Sequence, residues 1–156
     1  MLTRQTLSGS LLTSDNINIA FEHHKDGFES VVIVCPGFFN SKKNRWMQRT
    51  AELISQNYDT ILFDFRGHGG SSGKFSWSAR EHLDLGVVLD YAVENGYKNI
   101  GILAFSLGAV VSVDVASKRS DVKSMVLISC PLSFWRIDYH FWEPEMLSDL
   151  KDNTKA

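Results

Sequence analysis

The chain has 156 residues and a mass of 17.6 kDa, the size of one domain, with 44% hydrophobic and 22% charged residues. A net charge of −2 and a pI of about 6.2 exclude a basic footprint for nucleic acid or anionic lipid. At a mean hydropathy of −0.11, no apolar run approaches the roughly 18–20 residues of a membrane span.

Residues 1–14 are mixed and polar, without the apolar stretch of a secretory signal. Cys35 and Cys130 each close an apolar run beside a proline and read as reduced core thiols, which points to the cytoplasm. Residues 5–25 alternate loosely around the turn residues Ser14, Asp15 and Asn16, the pattern of a hairpin. His23 and His24 are expected on its exposed strand end.

The run Val31-Val32-Ile33-Val34-Cys35, ended by Pro36-Gly37, suits a strand buried on both faces of a parallel sheet. Residues 41–57 carry Trp46, Met47, Ala51, Leu53 and Ile54 at helical spacing, with Lys42, Lys43 and Arg45 as a solvated first turn. A second buried strand is predicted at 60–65, then a glycine-rich loop at 66–73. Ser78 and Glu81 have capping-box spacing before a helix at 83–93, with His82 on its surface and Gly96 as its stop. Residues 100–104 read as a third buried strand running directly into a helix at 107–117. Residues 122–129 read as a fourth, ended by Pro131.

This alternation predicts an α/β fold: a mostly parallel sheet flanked by helices on both faces, forming a single domain over 1–156. The segment 132–156 holds Phe134, Trp135, Tyr139, Phe141 and Trp142 and reads as the start of a cap or lid.

Ala104-Phe105-Ser106-Leu107-Gly108 is the sharpest chemical signal. A serine at a strand-to-helix junction, with small residues two positions to either side, has the form of a nucleophile elbow. The bland alternative is a helix N-cap serine. The glycine-rich loop is not a phosphate-binding loop, because that motif would need Gly at His68 and Ser or Thr at Phe75. Its glycines are also misplaced for a dinucleotide fingerprint. The histidines have no metal-ligand spacing, so neither a metal nor a cofactor is expected.

Two further stretches accompany the elbow: Cys35-Pro36-Gly37-Phe38-Phe39 after the first buried strand, and Asp64-Phe65-Arg66-Gly67-His68-Gly69-Gly70-Ser71 after the second. Taken with Ser106, in this order, they resemble the α/β-hydrolase superfamily in its esterase, lipase and serine-peptidase-like branch. The resemblance covers the chain up to about Pro131. It implies a serine hydrolase of esters, thioesters or amides, with Ser106 as nucleophile and backbone N–H groups of Leu107 and Phe38 as the oxyanion hole. It places His68 in a structural loop rather than as the base.

Pro36 stands where that family often has His, and Ala104 where Gly is usual. In the family an acid and then a histidine follow the nucleophile. Downstream of Ser106 lie His140 as the one candidate base and Asp121, Asp138 and Asp149 as candidate acids. The chain is therefore expected to be a C-terminally short hydrolase domain, feeble unless His140 or a partner supplies the imidazole. The strand at 122–129 then becomes an apolar edge through which a second copy, or a complementing chain, could pair. A non-catalytic remnant, half of a split hydrolase and an acyltransferase are the alternatives.

Overall fold

The computed structural model describes residues 5–131. Its elements are β1 (Gln5–Leu12), β2 (Asn18–Lys25), β3 (Ser30–Cys35), α1 (Arg45–Ile54), β4 (Asp59–Phe63), α2 (Glu81–Glu94), β5 (Asn99–Phe105), α3 (Leu107–Ala116) and β6 (Val122–Ile128). They form a six-stranded sheet in the order β1-β2-β4-β3-β5-β6. The β3–β4, β3–β5 and β5–β6 pairs are parallel; the β1–β2 hairpin joins β4 antiparallel.

Buried β-branched strands dictate the layers. β3 and β4 present side chains to both faces, so both must be covered. On one face Met47 and Ala51 of α1 pack on Val34, Leu62 and Phe105. On the other, α2 and α3 bury Leu85, Val88, Leu89, Ala109, Val111 and Val115 against Ile33, Ile61 and Ile102. After β3 the chain crosses one face to reach β4; after β5 it crosses the other to reach β6. The direction in which strands are added therefore switches between β3 and β5, and at such a switch point open α/β sheets place their ligands outside the carboxyl ends.

Four expectations change. His23 and His24 are buried, not exposed, because β2 is sandwiched between β1 and β4 rather than fraying at an end. Lys42 is buried as well, and α1 starts later than expected, at Arg45, with the Asn44 side chain accepting the Trp46 N–H at 2.9 Å. The start of α2 is organised by Ser76 rather than Ser78: its hydroxyl accepts the Arg80 N–H at 2.9 Å and donates to Glu81 at 2.8 Å. Finally, β6 is not a buried strand. Among the described residues it is a sheet edge, with Val126 and Ile128 58% and 43% exposed.

Candidate active site

Ser106 follows the end of β5, next to the end of β3. Its neighbour Ala104 pairs with Cys35 on one side and Leu127 on the other. The Ser106 N–H donates to Ile128 O at 2.9 Å, and α3 begins at the next residue. The turn between strand and helix is so abrupt that Ser106 has φ 49° and ψ −113°. A side-chain-bearing residue held in such a sparsely populated region costs about 1–3 kcal/mol, which the surrounding packing must supply. The hydroxyl makes no capping hydrogen bond to its own helix. A serine serving as a helix cap would make one, so that bland reading loses its physical basis.

Two glycines explain how backbone comes so close here. A Cβ on Gly108 would meet Pro36 O at 2.5 Å and Cys35 O at 2.8 Å, so α3 packs directly on the end of β3. A Cβ on Gly37 would meet Ser106 Cβ at 3.3 Å. The turn after β3 thus lies against the serine, which puts residues 37–39 beside Ser106. Leu107 is the first residue of α3, where N–H groups lack helical partners and positive helix-end charge accumulates. In the facing turn, Asn40 N–H bonds Gly37 O and Phe39 N–H bonds His68 Nε2.

The loop after β4 holds that turn in place. Asp64 Oδ1 accepts the Lys42 N–H at 2.5 Å, while Oδ2 takes Lys42 Nζ at 2.6 Å and the Gly70 N–H at 2.9 Å. Gly69 has no room for a side chain, since a Cβ would lie 2.2 Å from Asp64 Oδ2. Arg66 anchors the loop from beneath, with its guanidinium shared between Asp84 and Asp15 at 2.7 and 2.8 Å. That pairing draws the Asp15 carboxyl down to about 2. An aromatic patch borders the turn: Phe38 stacks on Phe75 at 4.6 Å and touches Trp77 at 5.0 Å, with Phe39 69% exposed beside it.

The expected residues come together in part. Ser106, Leu107 and the turn that holds Phe38 lie together at the carboxyl ends of β3 and β5. His140, Asp138 and Asp149 lie outside the described residues, as does the cap expected at 132–156. Asp121 is at the wrong end. It precedes β6, whose first residue pairs with Ile100, whereas Ser106 follows the last pair of that ladder, about 20 Å away at roughly 3.3 Å per residue. Its carboxylate is instead lowered and held by Arg119. The two cysteines are free; burial pushes the Cys35 thiol up to about 12, which makes it inert.

Sequence reasoning missed the Asp64–Lys42 clamp and the contact from His68 to Phe39. The Asp-x-Arg-Gly-His-Gly run was the available signal for both. Nothing in Lys42-Lys43 told which lysine turns inward.

A family described as the alpha/beta hydrolase fold matches residues 30–153. An uncharacterized protein of Rickettsia prowazekii is 32% identical over 96 residues, which are 59% of this chain and 40% of that protein. A Pyrococcus furiosus esterase superimposes with a TM-score of 0.80 at 27% identity, over 99% of this chain and 64% of its own. A Xanthomonas campestris serine hydrolase without a lid gives 0.70 at 21% identity, over 90% and 67%, a likeness of fold. The chain thus spans 40% of the Rickettsia relative and just under two thirds of the esterase. The sheet order and the family match agree: the chain belongs to the alpha/beta hydrolase fold family.

Proposed function

We propose that the protein is a serine hydrolase of small acyl substrates (esters, thioesters or amides) acting through an acyl-enzyme at Ser106. The observation that carries this is the backbone of Ser106, strained at φ 49°, its hydroxyl making no capping bond and a glycine turn packed against it. Strain of that kind persists where position matters more than stability. In the proposed reaction Ser106 Oγ attacks the acyl carbon while a base takes its proton. The displaced carbonyl electrons collect on oxygen, held by the N–H groups of Leu107 and Phe38. Collapse expels the leaving group, which takes the proton, and water repeats the sequence to release the acid.

A base must come from this chain, where His140 is the one histidine downstream of Ser106, or from a second chain. Without it the hydroxyl is a weak nucleophile. Free Cys35 and Cys130 favour a reducing compartment, the cytoplasm. A panel of p-nitrophenyl esters tests the reading. Turnover is expected for the wild type and lost in both Ser106→Ala and His140→Ala. Turnover surviving in Ser106→Ala sinks the proposal; survival in His140→Ala alone moves the base elsewhere.

A second reading, complementation through β6, is favoured by that strand's exposed edge among the described residues. Such edges template association. Sedimentation at micromolar concentration is expected to show a dimer or larger species, and a monodisperse monomer removes this reading.

A further inference from the structure

We propose that His68 is a positioning residue that latches the oxyanion turn to the loop after β4; this rests on the serine-hydrolase reading above. The geometry fixes its proton. His68 Nδ1 lies 3.0 Å from Arg66 O, a group that only accepts, so Nδ1 carries the hydrogen. His68 Nε2 lies 3.2 Å from the Phe39 N, which only donates, so Nε2 presents its lone pair. Both bonds form together only in the neutral Nδ1–H tautomer.

The two ends of this bridge differ in rigidity. Arg66 is 3% exposed and braced by Asp84 and Asp15, so its carbonyl is a fixed point. Phe39 is 69% exposed and carries φ 58°, a left-handed conformation that a phenylalanine leaves unless something holds it. His68 transmits the fixed position to the strained residue. The His68 ring also packs edge-on against Phe38 and Phe75, at 5.7 and 5.1 Å. Since Phe38 is joined to Phe39, releasing Phe39 lets the Phe38 amide swing away from Ser106. The same arrangement explains why His68 is not the base: its one lone pair is committed to Phe39.

Three variants separate the two bonds. His68→Gln places an oxygen near the Nε2 position and keeps an acceptor for Phe39. His68→Asn keeps a donor to Arg66 O but nothing for Phe39, and His68→Phe keeps only the ring contacts. The readout is the rate of fluorophosphonate labelling of Ser106, alongside amide exchange over residues 36–42. Because oxyanion donors are worth about 10²–10³ in rate, partial loss of one predicts labelling slowed roughly 10–100-fold in the Asn and Phe variants. Faster amide exchange in 36–42 should accompany it. The Gln variant, which keeps the Phe39 bond but loses the one to Arg66, is expected to fall between the wild type and these two.

Nitrogen NMR of His68 in the intact protein supplies the signature, a protonated Nδ1 and an unprotonated Nε2. Equal rates and equal exchange in all three variants, or an Nε2–H tautomer, overturn the latch. If the wild type does not label at all, the hydrolase reading fails, while the exchange and NMR arms still decide the latch.

Discussion

The polar groups at the two ends of the sheet are of opposite character. At the amino end of the parallel strands, Asp59, Tyr97, His23 and Tyr91 form a closed chain. Asp59 Oδ1 accepts the N–H groups of Asp26, Gly27 and Phe28 at 2.8–3.2 Å, and its other oxygen accepts the Tyr97 hydroxyl. His23 Nε2 bonds Tyr97 at 2.9 Å and Nδ1 bonds Tyr91 at 3.1 Å. Burial drives the His23 imidazole down to about 4 and the Tyr97 phenol up. At the carboxyl end, the Ser106 backbone is strained and its hydroxyl caps nothing. The difference is instructive. Shifted pKa values mark burial, and a fully satisfied buried network is a structural device. The chemistry is expected where geometry is strained and a polar atom is held in reserve.

That contrast breaks if function and stability do not separate between the ends. Ser106→Ala is expected to have the largest effect, a loss of ester turnover on the order of 10⁴-fold or more, with the thermal midpoint unchanged. Asp59→Ala, at the other end, should cost about 4 kcal/mol in urea unfolding, because three amides and a phenol lose a buried acceptor. Its labelling at Ser106 should remain wherever it stays folded.

The third prediction concerns acid. His23 has a folded pKa below its unfolded value, so between about 4 and 6.5 the unfolded chain binds more protons. Its contribution is full above pH 6.5 and is lost as pH falls towards 4, on the order of 3 kcal/mol across that window. Urea midpoints followed with pH for wild type and His23→Gln should diverge there, the variant lacking this share of the slope. The smallest effect sharpens the picture at the elbow. Gly108→Ala, forced against Pro36 O, should cost about 2 kcal/mol and also slow labelling, because it pushes α3 off β3.

Much of the fold was legible from the chain. The β-branched run at 31–35 and the apolar run at 100–104, each followed by a helical stretch, specify buried parallel strands, and the small residues around Ser106 specify the tight turn there. Hidden were the features that depend on which strands become neighbours. His23 looked like an exposed strand residue because its partners, Tyr91 and Tyr97, are about 70 positions away in the sequence. Asp64 and Lys42 are joined only once β3 and β4 lie side by side. Local pattern encodes the elements and the elbow; long-range pairing decides which polar residues become satisfied.

The central claim, that Ser106 is an activated nucleophile, is tested most directly by mapping a fluorophosphonate adduct. The intact protein is treated with probe, its mass measured, and the modified peptide sequenced. The account predicts one adduct per chain, on Ser106, absent in Ser106→Ala. A folded wild-type protein that gains no adduct, or gains it at another serine such as Ser112 or Ser129, contradicts it.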